Sequence, residues 1–245
     1  MKNLAVITAR MSSNRLPGKA MKKIQKVPSI KILYDRLNKS KLIDKIVVAT
    51  TTCLSDDVLV NFLKKNKISY YRGPKDDVTH RVIKTANFFN TKNIILITGD
   101  CPLIDFNLVD QCIRVFESNN VDFVTNANIR SFPDGMDAQI FKKSTLIECY
   151  KKTIIPKEFE HVTLNMRRNV KKNKIINIIA PPNEYFPKIG LTLDDRRDLI
   201  LIDKIVKYFW KKKNKDFTCK QILSFLFKNK SLLKINKNVR RKGDK

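Results

Sequence analysis

The segment NLAVITARMSSNRLPGK, Asn3 to Lys19, decides the fold. Asn3 to Ala9 is a short, continuous apolar run ended by a polar loop, the pattern of a strand buried on both faces. The ten residues from Arg10 to Lys19 then carry three cations (Arg10, Arg15, Lys19), two hydroxyls (Ser12, Ser13) and a Pro17-Gly18 turn. The loop after strand one of a doubly wound sheet is where phosphates are usually held. Backbone N–H groups of a folded-back loop form an anion-binding concavity, and Arg and Lys add charge-assisted bonds. The run is neither G-x-x-x-x-G-K-[ST] nor G-x-G-x-x-G, so the common ATPase and dinucleotide readings lose support. The competing account is a solvated loop with ordinary basic residues.

The alternation continues outward from this segment. Arg10 to Lys23 reads as a polar loop, Ser29 to Asn38 as a short helix, and Lys45 to Thr50 as a second buried strand. A helix over Asp56 to Asn66, a strand over Ser69 to Arg72 and a helix over Asp77 to Asn87 follow. Ile94 to Thr98 is the next buried strand, Asn107 to Phe116 a helix and Asp122 to Thr125 a strand. Continuous apolar strands alternating with amphipathic helices predict an α/β fold, a doubly wound and mostly parallel sheet covered on both faces. Its ligand is expected outside the carboxyl ends of the strands, at the switch point. After Asn126 the rhythm changes. Strands are expected over Asp137 to Phe141, Lys174 to Ile179 and Gly190 to Leu193. Helices are expected over Ser144 to Lys151, Glu158 to Arg168, around Leu199 to Phe209, and over Phe217 to Phe227. Residues 1–234 are expected to form a single domain, with 235–245 as a basic, loosely ordered tail.

The 245 residues are 42% hydrophobic, which excludes a disordered chain. No apolar run reaches the ~18–20 residues of a membrane span, and no secretory signal is visible, so a cytoplasmic location is expected. The five cysteines lie far apart without a C-x-x-C, which argues against a zinc ribbon and a disulfide scaffold. A net charge of +27 would ordinarily point to nucleic acid. Yet Lys far outnumbers Arg, is spread along the whole chain, and accompanies many Ile and Asn, the usage of an AT-rich genome. The basic residues are therefore read as a solvated coat, nucleic acid is not expected as a partner, and the field is one that recruits anionic substrates.

Two further motifs place carboxylates at strand ends. Thr98-Gly99-Asp100-Cys101-Pro102-Leu103 sets Asp100 just past a buried strand. Leu191-Thr192-Leu193-Asp194-Asp195 ends in two acids, of which Asp194 is the candidate second metal ligand and Asp195 a helix cap. A hard cation such as Mg²⁺ takes one or two carboxylates together with substrate phosphates. Two such aspartates converging on a basic loop imply metal-assisted nucleotidyl or phosphoryl transfer. Arg72 and Arg81 are candidates for phosphate or base, against surface pairing with Asp76 and Asp77. Phe132 to Asp137 brings Asp134 and Asp137 around a turn, for sugar hydroxyls or for the turn alone. Glu160 and His161 precede a helical Arg167-Arg168.

Together these motifs resemble the spore coat polysaccharide biosynthesis protein F family. These cytidylyltransferase-like proteins are related to the acylneuraminate and 3-deoxy-manno-octulosonate cytidylyltransferases. The resemblance rests on residues 9–19, 46–51, Tyr71-Arg72-Gly73, Asp76-Asp77-Val78, 97–105, 132–137, 160–163 and 191–194, in that order along the chain. It implies the nucleotide-diphospho-sugar transferase fold and a reaction in which CTP and a sugar give a CMP-sugar and pyrophosphate. On the same ground Ala9, Arg10, Ser13, Arg15, Lys19, Arg72 and Arg81 are expected at the nucleotide, with Arg10, Lys19 and Asp100 catalytic. Asp100 and Asp194 are expected on Mg²⁺, and Asp134, Asp137, Glu160 and His161 on the sugar. Residues of about 132–180 resemble the family's dimerisation insertion, so a homodimer is expected. The chain departs from the family where Ser12 or Ser13 replaces a usual Gly, and where Arg196-Arg197 replace a Pro-acid pair after Asp194. The rival readings are a nucleotide-sugar-dependent glycosyltransferase, for which no D-x-D stands after a central strand, and a basic RNA-binding protein, which needs exposed aromatics among its cations.

Overall fold

A computed structural model describes residues 1–169 and 172–240. The chain begins with β1 (Asn3–Thr8), then forms a small antiparallel hairpin, β2 (Lys23–Ile24) and β3 (Val27–Pro28), between the expected loop and the expected first helix. Next come α1 (Ser29–Leu37), β4 (Lys45–Thr51), α2 (Asp57–Lys65), β5 (Tyr70–Gly73), α3 (Val78–Phe88), β6 (Asn93–Thr98), α4 (Phe106–Glu117) and β7 (Phe123–Thr125). The second part adds β8 (Gln139–Lys142), α5 (Lys143–Lys151), α6 (Pro156–Glu160), α7 (Leu164–Arg168), β9 (Ile175–Asn177), α8 (Arg196–Lys211) and α9 (Cys219–Lys228).

Among the described residues the main sheet has seven strands in the order β5-β4-β1-β6-β8-β7-β9. It is mostly parallel, as expected; β8 runs antiparallel to both neighbours. Alternate residues of β1 enter two cores. Ala5 and Ile7 join helices α1, α2 and α4, while Leu4 and Val6 join α3 and α5. Both faces of the strand are therefore dry, which is why its sequence is apolar without alternation. The chain leaves β1 toward β4 and β5 on one side and returns to β6 on the other, so the topological switch lies between β1 and β6. These two strands run parallel in register from Asn3↔Asn93 to Thr8↔Thr98, so the loops after them emerge side by side.

Three expectations are corrected. Glu158 to Arg168 is two short helices, because Leu164 N–H donates to His161 O across a turn between them. Gly190 to Leu193 is no ladder strand; it makes one bridge, Asp134↔Gly190. The third concerns the tail. Asn236 and Val239 are buried, so order continues past Ile235; only residues 241–245 of the expected tail lie outside the described residues. The C-terminal rings pack on one another, as the buried stripe around Leu199 to Phe209 implies: Phe209 is buried and stacks on Phe217 at 4.4 Å, and Tyr208 stacks on Phe225 at 4.1 Å. All five cysteines are free thiols. No helix among the described residues is long and apolar enough to cross a membrane.

Candidate active site

The loop after β1 is folded back on itself. Ser13 N–H and Gly18 N–H both donate to Met11 O, at 3.0 and 2.9 Å. It is anchored from below by Asp56, which is fully buried at the end of the β4 loop. Asp56 Oδ1 accepts from Met11 N at 2.8 Å, and Oδ2 accepts from Thr50 Oγ1, Thr51 N and Thr51 Oγ1. Burial pushes the Asp56 pKa up, but these donors outweigh it and the net direction is down. The sequence reading treated Asp56 only as a helix start, since nothing local shows that its partners lie in another loop.

Lys19 leaves this loop and meets both Asp100, just past the end of β6, and Asp194. Its Nζ lies 2.6 Å from Asp100 Oδ2 and 2.9 Å from Asp194 Oδ1. Arg15 adds a contact of 3.0 Å to Asp194 Oδ2. Burial lowers the Lys19 pKa, yet the charges and hydrogen bonds of Asp100 and Asp194 overcome it and the net direction is up. For Asp100 burial raises the pKa, and the Lys19 charge and hydrogen bond turn the net direction down. Lys19 and Asp100 thus stay ionised around neutral pH.

Backbone contacts hold the two aspartates together. Gly99 N–H donates to Thr8 O at 2.9 Å. A Cβ at residue 99 would lie 2.8 Å from that oxygen and 2.9 Å from Ala9 Cβ, so glycine is what lets the Asp100 loop close on the end of β1. Leu193 N–H donates to Asp100 O at 2.7 Å, which brings Asp194 alongside. Asp195 caps α8 as expected, in a box completed by Asp198.

The expected sugar-side turn joins the same assembly. Asp134 N–H donates to Ile189 O at 2.9 Å, and Leu191 N–H to Asp134 O at 2.6 Å. The segment taken for a strand is thus a strap between the Asp134 turn and Asp100. Arg130, which sequence reading did not single out, pairs with Asp134 and lies 3.8 Å from Asp137. Its position four residues before Asp134, in a loop, left no periodic signal. Burial pushes the Asp137 pKa up to about 7, against the opposing charge of Arg130. Asp137 also counters the burial that lowers the pKa of Arg167. Glu160 and His161 are exposed, beside the turn whose Thr163 Oγ1 donates to Gln139 Oε1 at 2.7 Å.

The remaining expected nucleotide ligands divide. Ala9 is buried where β1 ends, and Ser13 lies in the folded-back loop. Arg72 donates to Thr51 O and Cys53 O and pairs with Asp57 at 2.7 Å. Arg81 is buried and donates to Pro74 O. Burial first, and then the charge of Arg10, lower its pKa to about 10. In this structure Arg72 and Arg81 hold loop carbonyls, a use that neither the reading as phosphate or base ligands nor pairing with Asp76 and Asp77 includes.

The arrangement has a testable electrostatic consequence. A carboxyl whose pKa is raised by folding binds a proton that the unfolded chain, with a pKa of about 4, has already released. Folding stability should therefore fall as pH rises from about 4 to about 7, and Asp137→Asn should flatten that decline. At about 1.4 kcal/mol per unit the effect is at most about 4 kcal/mol, and less because 21% of the side chain stays accessible. Urea unfolding of both proteins across this range measures it; equal slopes would remove the buried-carboxyl assignment.

Comparison with known proteins agrees with this architecture. The family model described as Cytidylyltransferase matches residues 4–177. An uncharacterized protein of Methanocaldococcus jannaschii is 34% identical over 99% of this chain and 98% of its own length. Spore coat polysaccharide biosynthesis protein SpsF of Bacillus subtilis is 28% identical over 80% of this chain and 82% of its own. The solved structure of a cytidylyltransferase from Leptospira borgpetersenii serovar Hardjo-bovis superposes with a TM-score of 0.90 at 31% identity, covering 99% of both chains.

Proposed function

The chain belongs to the cytidylyltransferase family, and from that premise we propose that it joins CMP from CTP to a sugar hydroxyl and releases pyrophosphate, with Mg²⁺. The observation that supports this most is the meeting of Lys19 with Asp100 and Asp194, and of Arg15 with Asp194, at the switch point of the sheet. The proposed acceptor is a sialic-acid-like, octulosonate-like or related surface-polysaccharide sugar, a class that the likeness to the spore coat polysaccharide protein supports in its last member only. A homodimer in the cytoplasm completes the reading.

In the reaction an acceptor oxygen forms a bond to the α-phosphorus of CTP. The bond from that phosphorus to the bridging oxygen of the β-phosphate breaks in line, and the acceptor proton leaves to solvent. The protein's work is positioning and charge neutralisation. Arg10, Arg15 and Lys19 hold the triphosphate, and the last two neutralise charge on the departing pyrophosphate. The folded-back loop presents Ala9 and Ser13 to the nucleotide. Arg72 and Arg81 hold the neighbouring loops in shape. Asp134, Asp137, Glu160 and His161, with Arg130 and Arg167, form the acceptor side, where carboxylates accept hydrogen bonds from sugar hydroxyls.

Asp100 and Asp194 fit a magnesium ion, because both already share one cation, the Lys19 ammonium. No trio of His, Cys, Asp or Glu among the described residues could hold a metal alone, so further ligands would be phosphate and water oxygens. When bound, Mg²⁺ supplies charge neutralisation at the α-phosphate and polarises the incoming oxygen. Lys19 would then turn from the aspartates to the phosphates.

Thermal melting with each nucleoside triphosphate and Mg²⁺ tests the base. CTP at ~100 times its dissociation constant should add about 2.7 kcal/mol, or about 5–11 °C. A larger shift with another nucleotide would refute cytosine. Pyrophosphate release across a panel of acidic and neutral sugars then identifies the acceptor.

A further inference from the structure

Asn236 stands far beyond the span matched by the family model, in the bend after the short 3-10 helix (Lys230–Lys234) that follows α9. It is buried, and its Nδ2 donates two hydrogen bonds, to Asp198 Oδ1 at 2.7 Å and to Gly190 O at 2.9 Å. A side-chain amide nitrogen has two protons, so both are used. Each acceptor is one step from a chemistry-bearing aspartate. Asp198 is fully buried, and its Oδ2 accepts from Asp194 N at 3.1 Å and Asp195 N at 2.9 Å. Asp194 then turns its carboxylate to Lys19 and Arg15. Gly190 bridges Asp134 at the head of the acceptor turn. The same C-terminal segment holds a third point, since Arg15 Nη1 donates to Arg240 O at 2.7 Å.

We propose that Asn236 is a positioning residue of the active site, orienting Asp194 through Asp198 and the Asp134 turn through Gly190. One amide group thereby couples the nucleotide-side carboxylate to the acceptor side. The C-terminal segment works as part of the site, although it lies outside the sequence span that marks the family. The inference rests on the reading that Asp194 serves the magnesium–triphosphate. Outer partners that orient a metal ligand commonly cost 10–100-fold in metal affinity or activity when removed.

Asn236→Ala and Asn236→Asp in the full chain test it. The Asp variant is nearly isosteric, so it preserves packing while losing both donors and facing the Asp198 carboxylate. Turnover should fall about 10–100-fold in the Ala variant, with the KM for CTP little changed. The Asp variant should fall at least as far. Mn²⁺ binding in the presence of CTP, followed by electron paramagnetic resonance, should weaken about tenfold. Hydrogen exchange at the Asp194 and Asp195 amides should quicken. Turnover within twofold of wild type in the Ala variant overturns the proposal. So does wild-type turnover in the Asp variant beside a loss in the Ala variant, since that is what packing alone would give. Loss of cooperative melting in both variants also counts against it, because the role is then structural. Wild-type protein that neither binds Mn²⁺ with CTP nor releases pyrophosphate would instead refute the reading on which the inference rests.

Discussion

Asp100→Asn is expected to lower turnover by about two to three orders of magnitude while the fold survives. The change removes one charge and leaves the shape. The structural duty of residue 100 rests on its main chain, where Asp100 O accepts from Leu193 N, and that bond persists. Asp100 makes its 2.6 Å contact with Lys19 through its carboxylate, and that is lost. Lys19 would keep Asp194 alone, and a magnesium ion would have one carboxylate in place of two. Pyrophosphate release at saturating CTP and Mg²⁺, alongside a melting curve, measures the change. Near wild-type release by a folded variant would end the assignment of Asp100.

Gly135→Ala should cost about 3 kcal/mol or more, and abolish activity through the same displacement. Gly135 sits at φ +106°, where a Cβ is strained whatever the space. Here there is also no space, since that Cβ would lie 2.7 Å from Leu191 C and 2.8 Å from Thr192 N. These are backbone atoms on the strap that carries Asp194, so no rotamer can relieve the clash. The strap must move, and with it the bonds from Leu191 N to Asp134 O and from Leu193 N to Asp100 O. A melting temperature about 6–12 °C lower is expected for a chain of this size. A shift under 2 °C would mean that the close approach of turn and strap is not what holds the site.

The two substitutions separate chemistry from architecture. Asn at 100 should leave melting nearly unchanged and lose the reaction. Ala at 135 should lose both, because the acceptor turn and the Asp194 strap are one mechanical unit.

The elements read correctly from the chain were those with a local cause. The continuous apolar runs of β1, β4 and β6 and the stripes of α2, α4 and α8 are written in neighbouring residues, because burial on two faces or one leaves a periodic trace. Gly190 to Leu193 misled for the same reason. Its apolar residues are buried with α8 and α9 under the loops, and burial alone does not distinguish a strand from a strap.

Local sequence was enough for a mostly parallel α/β sheet, a cationic loop after its first strand and an aspartate, Asp100, just past a buried strand. Each follows from composition and spacing within about ten residues. The folded chain alone brings Lys19 to Asp100 and Asp194, 81 and 175 positions away, sets Arg72 and Arg81 against loops, and carries Asn236 to Asp198. Such meetings depend on strand order, on which loops emerge side by side, and on where a glycine permits backbones to touch. None of these leaves a local pattern, since the groups that converge are fixed by the sheet and not by their neighbours in the chain.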